Sequence, residues 1–158
     1  MNTKTHSVIN ELLVDIFNDI LVIEQRVLKN GKFSDVSITE VHTIEAIGIG
    51  EAKSMGEVAK TLEITVGTLT IAINNLVKKG YVERVRSETD RRVVKISLTQ
   101  KAKLLYELHE KFHSDMVKET VTGLSKEEER VLITSLEKLN GFFKEKHNVI
   151  IMQNNQQK

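Results

Sequence analysis

Residues 64–99 read ITVGTLTIAINNLVKKGYVERVRSETDRRVVKISLT, and the period of their hydrophobic pattern changes partway along. Up to Gly80, Val66, Leu69, Ile73 and Leu76 recur at the spacing that puts apolar side chains on one face of a helix. Thr65 stands where an N-cap is needed, and Gly80 where a helix stops, with Lys78 and Lys79 set favourably against the helix dipole. After Gly80 the segments YVERVR and RVVKISL alternate apolar with polar residues, and SETDR between them has hairpin length. Upstream, a short helix over about 55–62 is separated by the turn EIT from the helix at about 66–79. Two helices joined this tightly form a helix-turn-helix, whose second helix enters the DNA major groove while the first crosses the backbone.

The charge distribution agrees. From Thr65 to Leu98 seven basic residues (Lys78, Lys79, Arg84, Arg86, Arg91, Arg92, Lys95) face three acidic ones, a net +4 in a chain whose total is only +1. A basic segment in an otherwise acidic chain is the footprint of a nucleic-acid contact. The helix side opposite the apolar face offers Thr65, Gly67, Thr68, Thr70, Ile71, Asn74 and Lys78. Small hydroxyl side chains allow close approach, Asn can pair with adenine, and Ile can touch a thymine methyl. The hairpin reads as a wing: Asp90 would orient Arg92 into the minor groove, and Arg84, Arg86, Arg91 and Lys95 would meet phosphates. The expected partner is double-stranded DNA carrying a pseudo-palindrome, and the expected fold is mainly α with a small β-hairpin wing.

Working outward, Ile9, Leu12, Leu13, Ile16, Phe17, Ile20, Ile23 and Val27 mark a long N-terminal helix. Val8, Val14, Leu21 and Val22 widen its apolar surface beyond what one neighbour would cover, which points to a second subunit. Glu11, Asp15, Asp19 and Glu24 run through the same stretch, so it is read neither as a signal peptide nor as a membrane span. Ser37 with Glu40, Ser54 with Glu57 and Ser125 with Glu128 are capping boxes, and Thr99 a simpler N-cap. Two long helices follow the hairpin. The expected organisation is a single chain with dimerisation helices at 6–30 and 100–147, a DNA-binding lobe at 37–99 and a frayed tail at 148–158. With no Cys, thiol catalysis, disulfides and thiol-based oxidant sensing are excluded, which suits the cytoplasm.

The helix with its Lys-Lys-Gly stop and the Asp-Arg-Arg wing tip resemble the MarR family of winged helix-turn-helix regulators, and the resemblance extends over nearly the whole chain. IFNDILVIEQ, SITEVHTIEAIG, VGTLTIAINNL, SETDRRVV and LHEKFHSDM narrow it to the members that repress fatty-acid synthesis genes in Gram-positive bacteria. That resemblance implies a homodimeric repressor of a type II fatty-acid synthesis operon, with long-chain acyl-acyl carrier protein as corepressor. It suggests an acyl-chain pocket for which Phe17, Leu21, Ile44, Ile47, His109 and His113 are the candidates, and a basic docking patch from Arg26, Lys29 and Lys32. A regulator of the same fold answering a small aromatic or drug-like ligand, controlling efflux or catabolism, is the alternative.

HEKFH at 109–113 competes with this reading, because His-Glu-x-x-His on a helix is the zinc peptidase signature. It would need a third ligand, and Glu128, Glu129 and Glu137 all fall on the next helix of what reads as a dimer bundle. The expectation is therefore no enzyme, no cofactor and no metal.

Overall fold

The computed structural model of the chain describes residues 3–86 and 94–155. Among these the order is α1 (Thr3–Lys29), α2 (Ile38–Ile47), β1 (Lys53–Ser54), α3 (Met55–Thr61), α4 (Val66–Lys78), β2 (Val82–Arg86), β3 (Val94–Leu98), α5 (Gln100–Val121) and α6 (Lys126–Asn155). This is the mainly helical, winged helix-turn-helix fold anticipated from the change of period. The chain divides into two compact units, Met1–Lys111 and Phe112–Lys158, with the boundary inside α5. α1 and the first half of α5 thus share a unit with the lobe.

Two features were not anticipated. β1 joins the hairpin to make an antiparallel sheet of order β1-β3-β2, with Lys53 opposite Ile96 and Ser54 opposite Lys95. Two residues are too few to show alternation. α6 also runs on to Asn155, where a frayed tail after His147 was expected. No Gly or Pro stands in 142–158 to stop it.

The caps form as the side chains dictate. Ser37 and Ser54 each close a capping box with the Glu three residues on. At the start of α6, Glu128 accepts from the Ser125 amide at 2.8 Å while the Glu128 amide donates to Ser125 Oγ at 3.3 Å. Thr65 caps α4, accepting from the Thr68 amide at 3.1 Å.

The turn between α3 and α4 is closed by the Ile64 amide donating to Ala59 O at 3.0 Å, which drives Glu63 to φ 55. A six-to-one bond around one left-handed residue is a Schellman motif. It is repeated at the other end of α4: Gly80 has φ 76, its amide donates to Val77 O at 3.0 Å, and the Tyr81 amide donates to Leu76 O at 2.9 Å. Glycine fits that second turn without a Cβ penalty.

The second turn delivers Tyr81 to the core of the first unit, where it is fully buried with Val41 and Ile44 of α2, Val58 of α3, Leu69, Ile73 and Leu76 of α4, Ile96 of β3 and Leu105 of α5. Val66 was expected on this face but is 48% exposed. It is the first residue of α4, and the core begins one turn later.

The Tyr81 hydroxyl donates to Asp35 Oδ1 at 2.6 Å, and Lys101 Nζ lies 3.9 Å over the ring. Lys101 also donates to Asp35 Oδ2 at 3.3 Å and to Lys79 O at 3.1 Å, while Lys79 Nζ meets both Glu40 carboxylate oxygens at 2.8 Å. One residue therefore links the segment before α2, the end of α4, the start of β2 and the start of α5.

The Tyr81 hydrogen bond, with help from Lys101, holds the Asp35 carboxyl below its ordinary 3.8. A depressed folded-state value adds stability above the unfolded value that is lost as pH falls through the folded one. Tyr81→Phe is expected to cost about 1 kcal/mol of unfolding free energy at pH 7, the size of an ordinary intramolecular hydrogen bond, because the accepting Asp35 side chain is 45% exposed. That cost should shrink below pH ~4, near the ordinary carboxylate value. Urea unfolding of both proteins across that range measures it.

Candidate nucleic-acid interface

The exposed side of α4 follows from its buried side. With Leu69, Ile73 and Leu76 in the core, Gly67, Thr68, Ile71, Asn74, Asn75 and Lys78 form the outward stripe. Ile71 is 67% exposed, the highest exposure among the large apolar residues of this helix. A single exposed aliphatic side chain is ordinary on a protein surface, and what distinguishes Ile71 is its place on the outward stripe of α4.

Thr65 and Thr68 share a hydroxyl contact of 2.9 Å at the start of the helix. Thr70 differs, for its hydroxyl donates back to Val66 O at 2.7 Å and its side chain is half-buried, which turns it away from the stripe. Gly67 is helical, and a Cβ added there would meet only Thr65 Oγ1, at 3.8 Å. Packing within the described residues does not demand glycine at this position.

The sheet sets the basic side chains. Residues two apart on a strand share a face, so Val82, Arg84 and Arg86 of β2 lie together, opposite Leu98, Ile96 and Val94 of β3. Val82, Leu98 and Ile96 are buried. Arg84 stands where that inner face passes out of the core beside α4, and its Nη2 donates to Asn74 Oδ1 at 2.5 Å. Arg86 is exposed one step nearer the tip, and Lys95 is half-buried on β3. Asp90, Arg91 and Arg92, the expected wing tip, lie outside the described residues.

The residues suggested for an acyl pocket fall in different surroundings. Ile44 and Ile47 are packed in the core, whereas Phe17 and Leu21 lie on the exposed face of α1, at 57% and 50%. His109 is buried and its Nδ1 contacts Glu45 Oε1 of α2 at 2.6 Å, while its Nε2 lies 3.6 Å from the buried Glu24 of α1. The ring of His42 stands 6.1 Å away. His113, four residues further along α5, packs edge-on to Phe112. Glu110, which a peptidase would use as base, is exposed. Sequence reasoning missed both carboxylate partners of His109, because Glu24 and Glu45 are 85 and 64 residues from it in the chain.

Known proteins match this architecture. Residues 34–93 match the MarR family. The chain is 30% identical over 113 residues to the HTH-type transcriptional regulator BilQ of Clostridium symbiosum (strain WAL-14163), covering 71% of this chain and 77% of that protein. The chain belongs to the MarR family. It is similar to the HTH-type transcriptional regulator PchR of Bacillus subtilis (strain 168), 24% identical over 65% of this chain, and spans 63% of that relative's length. Among solved structures, Streptococcus pneumoniae FabT in complex with DNA superposes with a TM-score of 0.83 at 46% identity, covering 89% of this chain and 98% of FabT. The MarR-family chain is thus a transcriptional regulator with a DNA-binding fold. It is not a peptidase, and HEKFH is a stretch of α5.

Glu45 hydrogen-bonded to His109 raises the imidazole above its ordinary 6.5 despite burial, with Glu24 adding to the effect. A raised folded value gives stability that is complete below the unfolded value and is lost as pH rises through the folded one. In thermal unfolding, the wild-type advantage over His109→Gln is therefore expected to be largest near pH ~6 and to narrow as pH rises above the ordinary imidazole value. An advantage that grew with pH would show that the imidazole is held neutral.

Proposed function

We propose that the chain is a homodimeric, sequence-specific repressor of fatty-acid biosynthesis genes, acting in the cytoplasm with long-chain acyl-acyl carrier protein as corepressor. The observation that carries this reading is the 46% identity to FabT across 98% of a protein crystallised on DNA. In this reading residues 37–99 are the DNA-binding lobe. α4 enters the major groove with Ile71 and Asn74 toward the bases and Lys78 toward the backbone, and β2 carries Arg84 and Arg86 along the adjacent phosphates. Asp90, Arg91 and Arg92 complete the wing on sequence grounds.

Dimerisation is assigned to helices at 6–30 and 100–147, in keeping with the apolar residues they expose. On α1, Leu12 is 55% and Ile16 53% exposed, and on α6 Ile133 is 57% and Leu136 54%. Apolar surface this extensive calls for cover. None of the described helices is long and apolar enough to cross a membrane. Two lobes related by a two-fold axis would meet half-sites about one helical turn, roughly 34–36 Å, apart.

A corepressor strengthens repression only if it binds the DNA-bound form better than the free form. Long-chain acyl-acyl carrier protein should therefore tighten binding to DNA from upstream of the fatty-acid genes, and unacylated carrier should not. Fluorescence anisotropy with both carriers tests this. Release of DNA by a small aromatic ligand, with no response to acyl carrier, would instead favour the alternative regulator.

Gly67 permits a second check. Gly67→Ala should stabilise the fold by a few tenths to about 1 kcal/mol, as Ala for Gly does in a helix. The same change should weaken DNA binding, because the added methyl projects where the backbone approaches phosphate. Loss of affinity with raised thermal stability separates a contact from a folding defect.

A further inference from the structure

The geometry points to a division of labour in which Arg84 positions Asn74 so that the recognition helix presents only donors at this place in the groove. Asn74 then selects an acceptor-only base edge, guanine N7 and O6 or thymine O4, and disfavours adenine. The inference rests on the DNA-reading role proposed above and adds a base preference to it.

Arg84 Nη2 lies 2.5 Å from Asn74 Oδ1. A guanidinium has donors and no acceptor, so the amide atom facing it must be the carbonyl oxygen. The contact is charge-assisted, which strengthens it relative to a neutral pair, although both side chains are exposed. It fixes the amide orientation before DNA arrives, and the amide nitrogen is left to face away from Arg84.

Asparagine pairs with adenine in two-point fashion, with Nδ2 donating to N7 and Oδ1 accepting from the N6 amino group. Here one lone pair of the carbonyl already serves a cation. The second lone pair can still accept, but a donor brought to it would lie beside the guanidinium charge, so the bond from the adenine amino group is weakened relative to that of a free amide. Asn74 Nδ2 and Arg84 together therefore make a donor surface, matched by an edge with acceptors alone. The amino group of cytosine is disfavoured for the same reason.

The neighbouring side chains agree with an edge-reading position. Asn74 is exposed on the outward stripe, with Ile71 one turn before it and Lys78 one turn after. Arg84 is held in register by the hairpin, where it lies opposite the buried Ile96. The amide is thus oriented by an element that does not belong to the recognition helix.

The test begins by selecting duplexes from a randomised pool with the wild-type protein, Asn74→Ala and Arg84→Met, then comparing the enriched sites. One base pair per half-site should lose its preference in Asn74→Ala. In the wild type that pair should be either G·C read at guanine N7 and O6, or A·T read at thymine O4. If it is A·T, replacing adenine by purine, which lacks the N6 amino group, separates the two possible contacts. Wild-type affinity should then fall no further than that of Asn74→Ala, because thymine O4 is being read.

In Arg84→Met the carbonyl is released, and preference at the pair should move toward adenine by about tenfold, the size of one good two-point contact. That variant should also become sensitive to loss of the amino group. General weakening from a lost phosphate contact lowers all sites alike and leaves these ratios unmoved.

The assignment is overturned if no pair depends on Asn74, if Arg84→Met keeps the wild-type preference, or if removing the adenine amino group costs the wild type about tenfold more than Asn74→Ala. A wild-type protein that enriches no duplex removes the DNA-reading role together with the inference. Each of the other results leaves that role standing.

Discussion

The lobe depends on the way α4 ends. Gly80 at φ 76 turns the chain so that the Tyr81 amide reaches back to Leu76 O, and the next residue, Val82, starts β2. Without that turn the helix could not hand the chain to a strand lying against it. Tyr81 is carried into the core by the same step, and its hydroxyl meets the one carboxylate, Asp35, that Lys101 of α5 also meets. A buried phenol needs a partner for its polar end. That need draws the segment before α2 and the first turn of α5 onto the back of the helix-turn-helix.

Thr99 reinforces the same joint from the other side. Its hydroxyl donates to Gly80 O at 2.7 Å and its amide to Tyr81 O at 3.0 Å. The start of α5 is thus tied to the end of α4 while β2 and β3 lie between them in the chain. The hairpin consequently leaves the core at a set angle to α4, and this is what brings Arg84 to Asn74. A side chain oriented from a rigid strand loses less freedom on binding than one left to rotate.

His109 shows the opposite use of a polar side chain. Here the imidazole is enclosed by Glu24 of α1 and Glu45 of α2, so it joins three helices of the first unit. A charged ring there offsets one of the two carboxylates, and Glu45 keeps 35% of its side chain in solvent. A change in its protonation would disturb α1, α2 and α5 together.

Much of this was legible along the chain. Helical period from Val66 to Leu76, alternation after Gly80, and Ser-to-Glu caps at 37, 54 and 125 all act within a few residues, so local chemistry determined the helix starts, the stop at Gly80, the hairpin and the basic character of the segment. The resemblance carried by the wing and flanking helices anticipated the family.

Tertiary structure decided what distant residues do to one another. The pairing of Lys53 with Ile96 made a third strand from two residues, and Glu24 and Glu45 converged on His109 from far along the chain. Arg84, expected only at phosphates, came to hold the Asn74 carbonyl. Period and capping are set by neighbours in sequence, whereas hydrogen-bond partners of a side chain are set by whatever the folded chain brings within 3 Å or so.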